Sequence, residues 1–261
     1  MSGMVGSRVE ELLDWQFEDM SLDRGVNITD REQIETFLDA HKAPVLLHMA
    51  AFTDVNKAWE EKGDKEGKVY KVNVKGTQNL AEACSERDIH MIYISTDMVF
   101  SGEKHEPYVE QDKPDPIEWY GETKALGEEK VKEIMDSYTI ARIAFPFKAG
   151  REGKADLIDK IRIGLEEGTL YPQFTDMIIT PTFVDDIALA LDEMIGVRPV
   201  GIYHVTGDSF VSTYQLAQEV AQVFGFDKDK IKEGSLEEYL EKNPDIRPYQ
   251  MQLKMDNSKL E

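Results

Sequence analysis

Short β-branched runs alternate along the chain with longer stretches in which apolar side chains return every three or four residues. The first pattern fits strands and the second amphipathic helices. Val45 to Leu47, His90 to Ile94, Thr139 to Ile143 and Ile202 to Val205 read as strands. Residues 30–41, roughly 65–87 and 118–137 read as helices, with Thr29 or Asp30 placed to cap the first. The alternation predicts an α/β fold, a Rossmann-like doubly wound parallel sheet. Beyond Phe145 the pattern loosens. A proline and two glycines are followed by a charged helix over 154–167, a Thr-Pro-Thr turn at 180–182, and helices over 183–195 and 212–224. A nucleotide-binding domain is therefore expected from 1–147 and 183–206, with a smaller substrate lobe from 148–182 and 207–261.

Charge narrows the partners. The 261 residues carry 51 acidic side chains against 30 Lys plus Arg, a formal charge of −21. Nucleic acid and the anionic membrane face both recruit clustered cations, so neither is expected as a partner. The longest apolar runs, such as Pro44 to Phe52, are too short to cross a bilayer. The N-terminus has no basic segment leading into an apolar one, as a secretory signal would. Cys84 is the single cysteine, and no Cys/His cluster has zinc-ligand spacing. His41, His48, His90, His105 and His204 are scattered as well. A soluble protein of a reducing cytoplasm, without a metal, is the expectation, with small molecules or other proteins as partners.

Five segments carry candidate chemistry. Gly3 and Gly6 enclose Met4 and Val5 at the start of a helix that runs to Leu13. Two glycines three apart at a helix N-terminus suit a pyrophosphate, because backbone amides are open to it. The same stretch reads equally well as a flexible start, and no strand precedes it. About twenty residues on lie Asp23, Arg24, Asn27 and Ile28. Asp23 suits the ribose hydroxyls of NAD(H), whereas Arg24 suits the 2′-phosphate of NADP(H); in so acidic a chain, an Asp is most often a plain surface charge. Tyr120 and Lys124 stand four apart on a predicted helix, so they share a face. A phenol with a pKa near 10 becomes a useful acid when a cation favours its ionised form, and the Lys124 ammonium is expected to do this. A half-buried tyrosine beside a surface lysine is the ordinary alternative. Finally, the apolar run Ile92 to Ile94 turns into Ser95-Thr96-Asp97 at the end where parallel sheets bind ligands. Thr96 is placed to bind a substrate carbonyl there, although a turn or cap explains the polarity too. After Leu47, the small side chains of Ala50 and Ala51 leave room for a cofactor.

Ser2-Gly3-Met4-Val5-Gly6, Ala50-Ala51, Asn73-Val74-Lys75-Gly76-Thr77-Gln78-Asn79-Leu80, Ser95-Thr96-Asp97 and Tyr120-Gly121-Glu122-Thr123-Lys124 together resemble the extended short-chain dehydrogenase/reductase superfamily. Thr53 with Lys57-Ala58, the Ser-Thr-Asp-x-Val-Phe run and the Tyr-Gly-x-Thr-Lys run look most like dTDP-4-dehydrorhamnose reductases. Arg142 and Thr180-Pro181-Thr182-Phe183-Val184-Asp185-Asp186-Ile187 extend the resemblance over nearly the whole chain. The resemblance implies an NAD(P)H-dependent reductase of a nucleotide-linked keto-deoxysugar. Tyr120 would be the general acid, Lys124 would support it and hold the nicotinamide ribose, and Thr96 would bind the carbonyl. Gly3 to Gly6 would face the pyrophosphate, Asp23 to Ile28 the adenosine end, and Ala50, Ala51 and Thr53 the middle of the cofactor. Asn73 would frame that site, while Asp97, Met98 and Phe145 would border the sugar. Asn73 also reads as a mid-helix hydrogen-bonder and Phe145 as plain core.

The chain departs from the family's pattern at identifiable places. The first glycine of the Gly-x-x-Gly-x-x-Gly fingerprint would precede Met1, and so would the first strand. The expectation is a longer natural chain, and the end at Glu261 also falls inside a family segment. His48 stands where asparagine is frequent and Met98 where tyrosine is common, so a shifted substrate preference is expected. The superfamily leaves a sugar-nucleotide epimerase or dehydratase open. So is a non-catalytic subunit like the methionine adenosyltransferase β-subunit, or a degenerate binding protein, because fold alone does not fix function. A homodimer is equally compatible.

Overall fold

The computed structural model describes residues 3–150 and 155–260. Ser2 of the glycine-bearing stretch, Lys154 at the start of an expected helix, and Arg151 to Gly153 and Glu261 of the expected lobe lie outside the described residues.

Strands β1 (Val45–His48), β2 (His90–Thr96), β3 (Tyr138–Ile143) and β4 (Gly201–Val205) form one parallel sheet in that order. Val45 pairs with His90, Ile92 with Thr139 and Arg142 with His204, so all four strands end on the same side. Side chains of β2 alternate between the two faces. Met91 and Tyr93 join Ile34, Leu38, Leu80 and Val131, contributed by α2 (Arg31–Ala40), α3 (Thr77–Ser85) and α4 (Trp119–Ile134). Ile92 and Ile94 join Val9, Ile187 and Leu191 from α1 (Met4–Leu12) and α6 (Val184–Val197). Both faces are covered, which is why β2 is apolar at nearly every position rather than at every second one. Asp30, not Thr29, caps α2 by accepting from the amide of Gln33.

A separate apolar cluster forms where α5 (Leu157–Glu167) packs on α7 (Thr213–Phe224), through Ile161, Leu216, Val220 and Ala221. Two-residue strand pairs, Ile178–Ile179 with Val211–Ser212 and Gln173–Phe174 with Glu233–Gly234, complete this region. The helix expected over 65–87 runs without interruption from Lys68 to Ser85 but is not α-helical throughout. A single helical turn, Lys68–Tyr70, passes into a π-helical segment, Lys71–Gly76, before α3 begins. Among the described residues, no helix is long and apolar enough to cross a membrane.

Candidate active site

A cleft of about 1830 Å³ runs along the whole of β1, from Ala43 and Pro44 to the C-terminal ends of β1, β2 and β3, where it also takes in the N-terminal turn of α1. Open parallel sheets bind ligands at this edge because their helices begin there and leave amides free. Thr96, Asp97, Met98, Tyr120, Lys124 and Phe145 all line the cleft.

Two buried devices place Tyr120. The Glu118 carboxylate caps α4, accepting from the amides of Tyr120 and Gly121, and fixes the start of the helix. Gly121 then brings α4 against the turn after β2, since a Cβ at position 121 would land on the Met98 carbonyl oxygen. The glycine after the tyrosine is thus a requirement of close approach. In that turn the Thr96 hydroxyl donates to Asp97 Oδ1 at 2.9 Å and accepts from the Met98 amide at 3.3 Å. Asp97 is 3 % exposed, and its Oδ2 has no hydrogen-bond partner among the described residues. Burial pushes the Asp97 carboxyl up to about 7, opposed by the bond from Thr96 and reinforced by Glu118.

The phenol and the ammonium share a face of α4 but act in different places. Burial pushes the Tyr120 phenol above its ordinary value; Asp97 and Glu118 push the same way, and the neighbouring Thr96 hydroxyl opposes them. The expected lowering by Lys124 is not found. Lys124 donates to the Ile94 carbonyl at 2.7 Å and lies 4.0 Å above the Tyr93 ring. Burial lowers its ammonium to about 7 against the pull of Glu128. Helical spacing fixes the shared face; the buried carbonyl of β2 captures the lysine head.

Glu128, four residues beyond Lys124, escaped the motif reading. It is fully buried with Arg142, accepting from Arg142 Nε at 2.9 Å and from Nη2 at 2.7 Å, and the Ser95 hydroxyl donates to it at 2.6 Å. A lone arginine in the apolar run 138–144 is the signal that such a partner exists.

Asn73 lies in the π-helical segment, completely buried. Its Oδ1 accepts from the Phe52 amide at 2.7 Å and its Nδ2 donates to Thr123 Oγ1 at 3.0 Å, tying the Ala50-Ala51 loop to α4. His48 is held by Thr77, which donates its own hydrogen to the Asn73 carbonyl, so the imidazole donates through Nε2. Burial, reinforced by Lys124, lowers His48 to about 3 and keeps it neutral.

Gly3 caps α1 without a side chain, and its first turn holds no acidic residue, which leaves the amides of Met4, Val5 and Gly6 open to an anion. Ala50, Ala51, Thr53, Asp23, Asn27 and Ile28 line the same cleft. These residues fit a dinucleotide: open amides for the pyrophosphate, small side chains beside them, and a carboxylate toward the outer end. Asp23 sits in a 3₁₀ turn, Leu22–Arg24, rather than after a strand. Arg24 is off the cleft wall, 72 % exposed, with Asp19 at 3.7 Å. Asn27 is engaged locally, accepting from the Thr29 amide and hydroxyl, and Ile28 packs where a side chain at Gly76 would otherwise go.

Phe145 stands between β3 and the short strand Pro146–Phe147 with φ of 36°, although it precedes a proline. A bulky residue there is strained, and packing against both Val99-Phe100-Tyr108 and the α5–α7 cluster holds it.

Comparison with known proteins agrees with this fold. A probable low-salt glycan biosynthesis reductase of Haloferax volcanii is 32 % identical over 212 residues, covering 79 % of this chain and 68 % of its own. A dTDP-4-dehydrorhamnose reductase of Streptomyces griseus is 31 % identical, covering 88 % of this chain and 76 % of its own. Among solved structures, a dTDP-4-dehydrorhamnose reductase of Bacillus anthracis in complex with NADP superposes with a TM-score of 0.85 at 23 % identity, covering 99 % of this chain and 87 % of that one. A hypothetical dTDP-4-dehydrorhamnose reductase of Sulfolobus tokodaii gives 0.81 at 28 %, covering 99 % and 90 %. Residues 1–261 match the family described as RmlD substrate binding domain, and the chain belongs to that family.

Proposed function

We propose that the protein reduces the keto group of a nucleotide-linked deoxysugar at the expense of NADH or NADPH, with Thr96, Tyr120 and Lys124 as its catalytic residues. The observation that carries this reading is the gathering of Thr96, Asp97, Tyr120 and Lys124 at one end of a cleft whose wall includes the open N-terminus of α1. The names of the relatives support the substrate class.

The nicotinamide supplies the hydride, and this chain supplies orientation and the proton. Gly3 to Gly6 would hold the pyrophosphate, with Asp23, Asn27 and Ile28 toward the adenosine and Ala50, Ala51 and Thr53 along the middle; Arg24, off the cleft wall, would have to swing inward to reach a 2′-phosphate. Thr96 donates to the substrate carbonyl, and Tyr120 gives its phenolic proton to that oxygen as the carbonyl carbon is reduced. Lys124 would hold the ribose, and its head would have to leave the Ile94 carbonyl to bring a cation to the phenolate and lower the cost of forming it. Asp97, Met98 and Phe145 border the sugar, and the apolar Met98 favours a deoxygenated face.

Tyr120→Phe removes the proton and little else. Turnover of a panel of nucleotide-linked keto-sugars, read as NAD(P)H oxidation and as the reduced sugar by mass spectrometry, falls to background, while NAD(P)H binding stays within about threefold. Undiminished turnover in the variant, or no oxidation by the wild type across the panel, refutes the reading.

A further inference from the structure

Arg142 and His204 lie off the cleft and inside the protein, and each has one nitrogen without a hydrogen-bond partner among the described residues. The two are register partners on β3 and β4. Register partners in a parallel sheet project from the same face, so these side chains stand next to each other, about 4.8 Å from strand to strand. Both are fully buried. The Phe100 ring packs on both, with its centroid 4.9 Å from the Arg142 guanidinium carbon and 6.0 Å from the centre of the His204 ring.

Each side chain is tethered on one side only. Arg142 gives Nε and Nη2 to the Glu128 carboxylate at 2.9 and 2.7 Å, so its charge is met. Its Nη1, a donor with two hydrogens, is the unpaired atom. His204 bonds through Nδ1 to the Asp256 carbonyl at 2.8 Å. A carbonyl only accepts, so the hydrogen sits on Nδ1 and leaves Nε2 as a bare lone pair. Burial lowers this imidazole to about 4, opposed by Glu110 and reinforced by Arg142, and keeps it neutral. That Nε2 is the second unpaired atom. A donor lacking an acceptor therefore stands beside an acceptor lacking a donor. Leaving both unmet in a dry interior is costly, and Phe100 offers neither a lone pair nor an N–H to relieve it.

We propose that one water molecule is bound between Arg142 Nη1 and His204 Nε2, accepting from the first and donating to the second. The occupant has to be neutral, because Glu128 already balances Arg142 and an added anion would leave uncompensated charge in the core. It has to accept and donate at once, across a gap that two hydrogen bonds of about 2.9 Å can span. Water meets these conditions. Closing the gap directly would pull the guanidinium off Glu128 or the imidazole off Asp256, and both are held by short bonds. The water completes a hydrogen-bonded line from α4, the helix of Tyr120 and Lys124, through Glu128, Arg142 and His204 to Asp256. Asp256 in turn gives its amide to the Tyr108 carbonyl, so the line joins α4 to the C-terminal segment and to the loop after β2.

A crystal structure of the full chain at about 1.5 Å resolution tests this. One well-ordered water peak is expected, within about 2.7–3.2 Å of both nitrogens. A direct contact between the nitrogens with no density between them overturns the proposal, and so does a halide or other ion at the peak. His204→Leu removes the acceptor, and the peak is lost; a peak that keeps its place in this variant does not bridge, and overturns it as well. A second measurement needs no variant. In the proton–nitrogen correlation spectrum of the wild-type histidines at about pH 7, His204 is neutral with its hydrogen on Nδ1 and its Nε2 resonance shifted from that of a free lone pair toward a hydrogen-bonded one. A hydrogen on Nε2, or an unshifted Nε2, overturns the proposal. None of these measurements reads turnover, so the outcome is independent of the reductase reading.

Discussion

Arg142→Met leaves the Glu128 carboxylate in the core with the Ser95 hydroxyl as its one remaining bonded partner among those described. Both members of the pair are fully buried, so solvent does not screen the loss. A carboxylate stranded in this way takes up a proton. For a glutamate side chain with a reference pKa of about 4.3, holding that proton at pH 7 costs about 3.7 kcal/mol, at about 1.36 kcal/mol per pH unit. The folded variant then binds one more proton than its unfolded chain above about pH 4.3, so its stability deficit grows as pH rises. Unfolding entropy of about 2.1 cal/mol/K per residue over 261 residues gives about 0.55 kcal/mol/K, and converts the deficit into a Tm loss of about 7 °C at pH 7 and about 2 °C at pH 5. Circular-dichroism melts of wild type and variant in matched buffers at the two pH values measure this. Adding Glu128→Leu removes the stranded group and recovers most of the loss, because an apolar pair of similar volume replaces a buried ion pair at little cost. A Tm loss independent of pH, or a double variant no better than the single one, refutes the reasoning.

Two further outcomes follow from the site. Lys124→Met abolishes turnover yet raises Tm at pH 7 by about 2 °C or more, since a lysine lowered to about 7 in the folded state and near 10.4 unfolded destabilises the fold below that range. The unfolded wild-type chain binds the extra proton between these values, so wild-type stability climbs with pH and the advantage of the variant shrinks from pH 7 to 9; an advantage that grows contradicts the assignment. Gly121→Ala forces the helix start away from Met98, destabilising by about 1–3 kcal/mol in thermal melts and lowering kcat at least about tenfold. Unaltered kcat in that variant shows that the approach of α4 to the turn is not needed.

Much of this arrangement was legible before any coordinates. The sheet could be read because β2 and β3 are buried on both faces, which leaves the apolar run Met91 to Ile94 in one and β-branched and apolar residues around Arg142 in the other. Tyr120 and Lys124 could be placed on one face by helical spacing alone. What periodicity does not carry is where a long side chain ends. The lysine head went to a strand carbonyl, so the expected influence on the phenol did not appear. The partnership of Glu128 with Arg142 crosses from helix to sheet and has no local spacing. The helix expected over 65–87 forms, but periodicity does not show the π segment inside it, which holds Asn73 with its side chain drawn inward to the Phe52 backbone and Thr123. In the lobe around α5 and α7, two-residue strands are too short to show any alternation.

Phe145 gives the two cores a common tension. Glycine would relax its backbone, but it would also remove the ring that belongs to both clusters, so the position sets comfort of the chain against contact between its parts. Packing on either side keeps the ring in place the way two guy-lines keep a mast upright. Slackening one of them, for instance by trimming Leu216 on α7, which does not itself line the cleft, lets the turn relax and shifts Phe145 and with it part of the cleft wall.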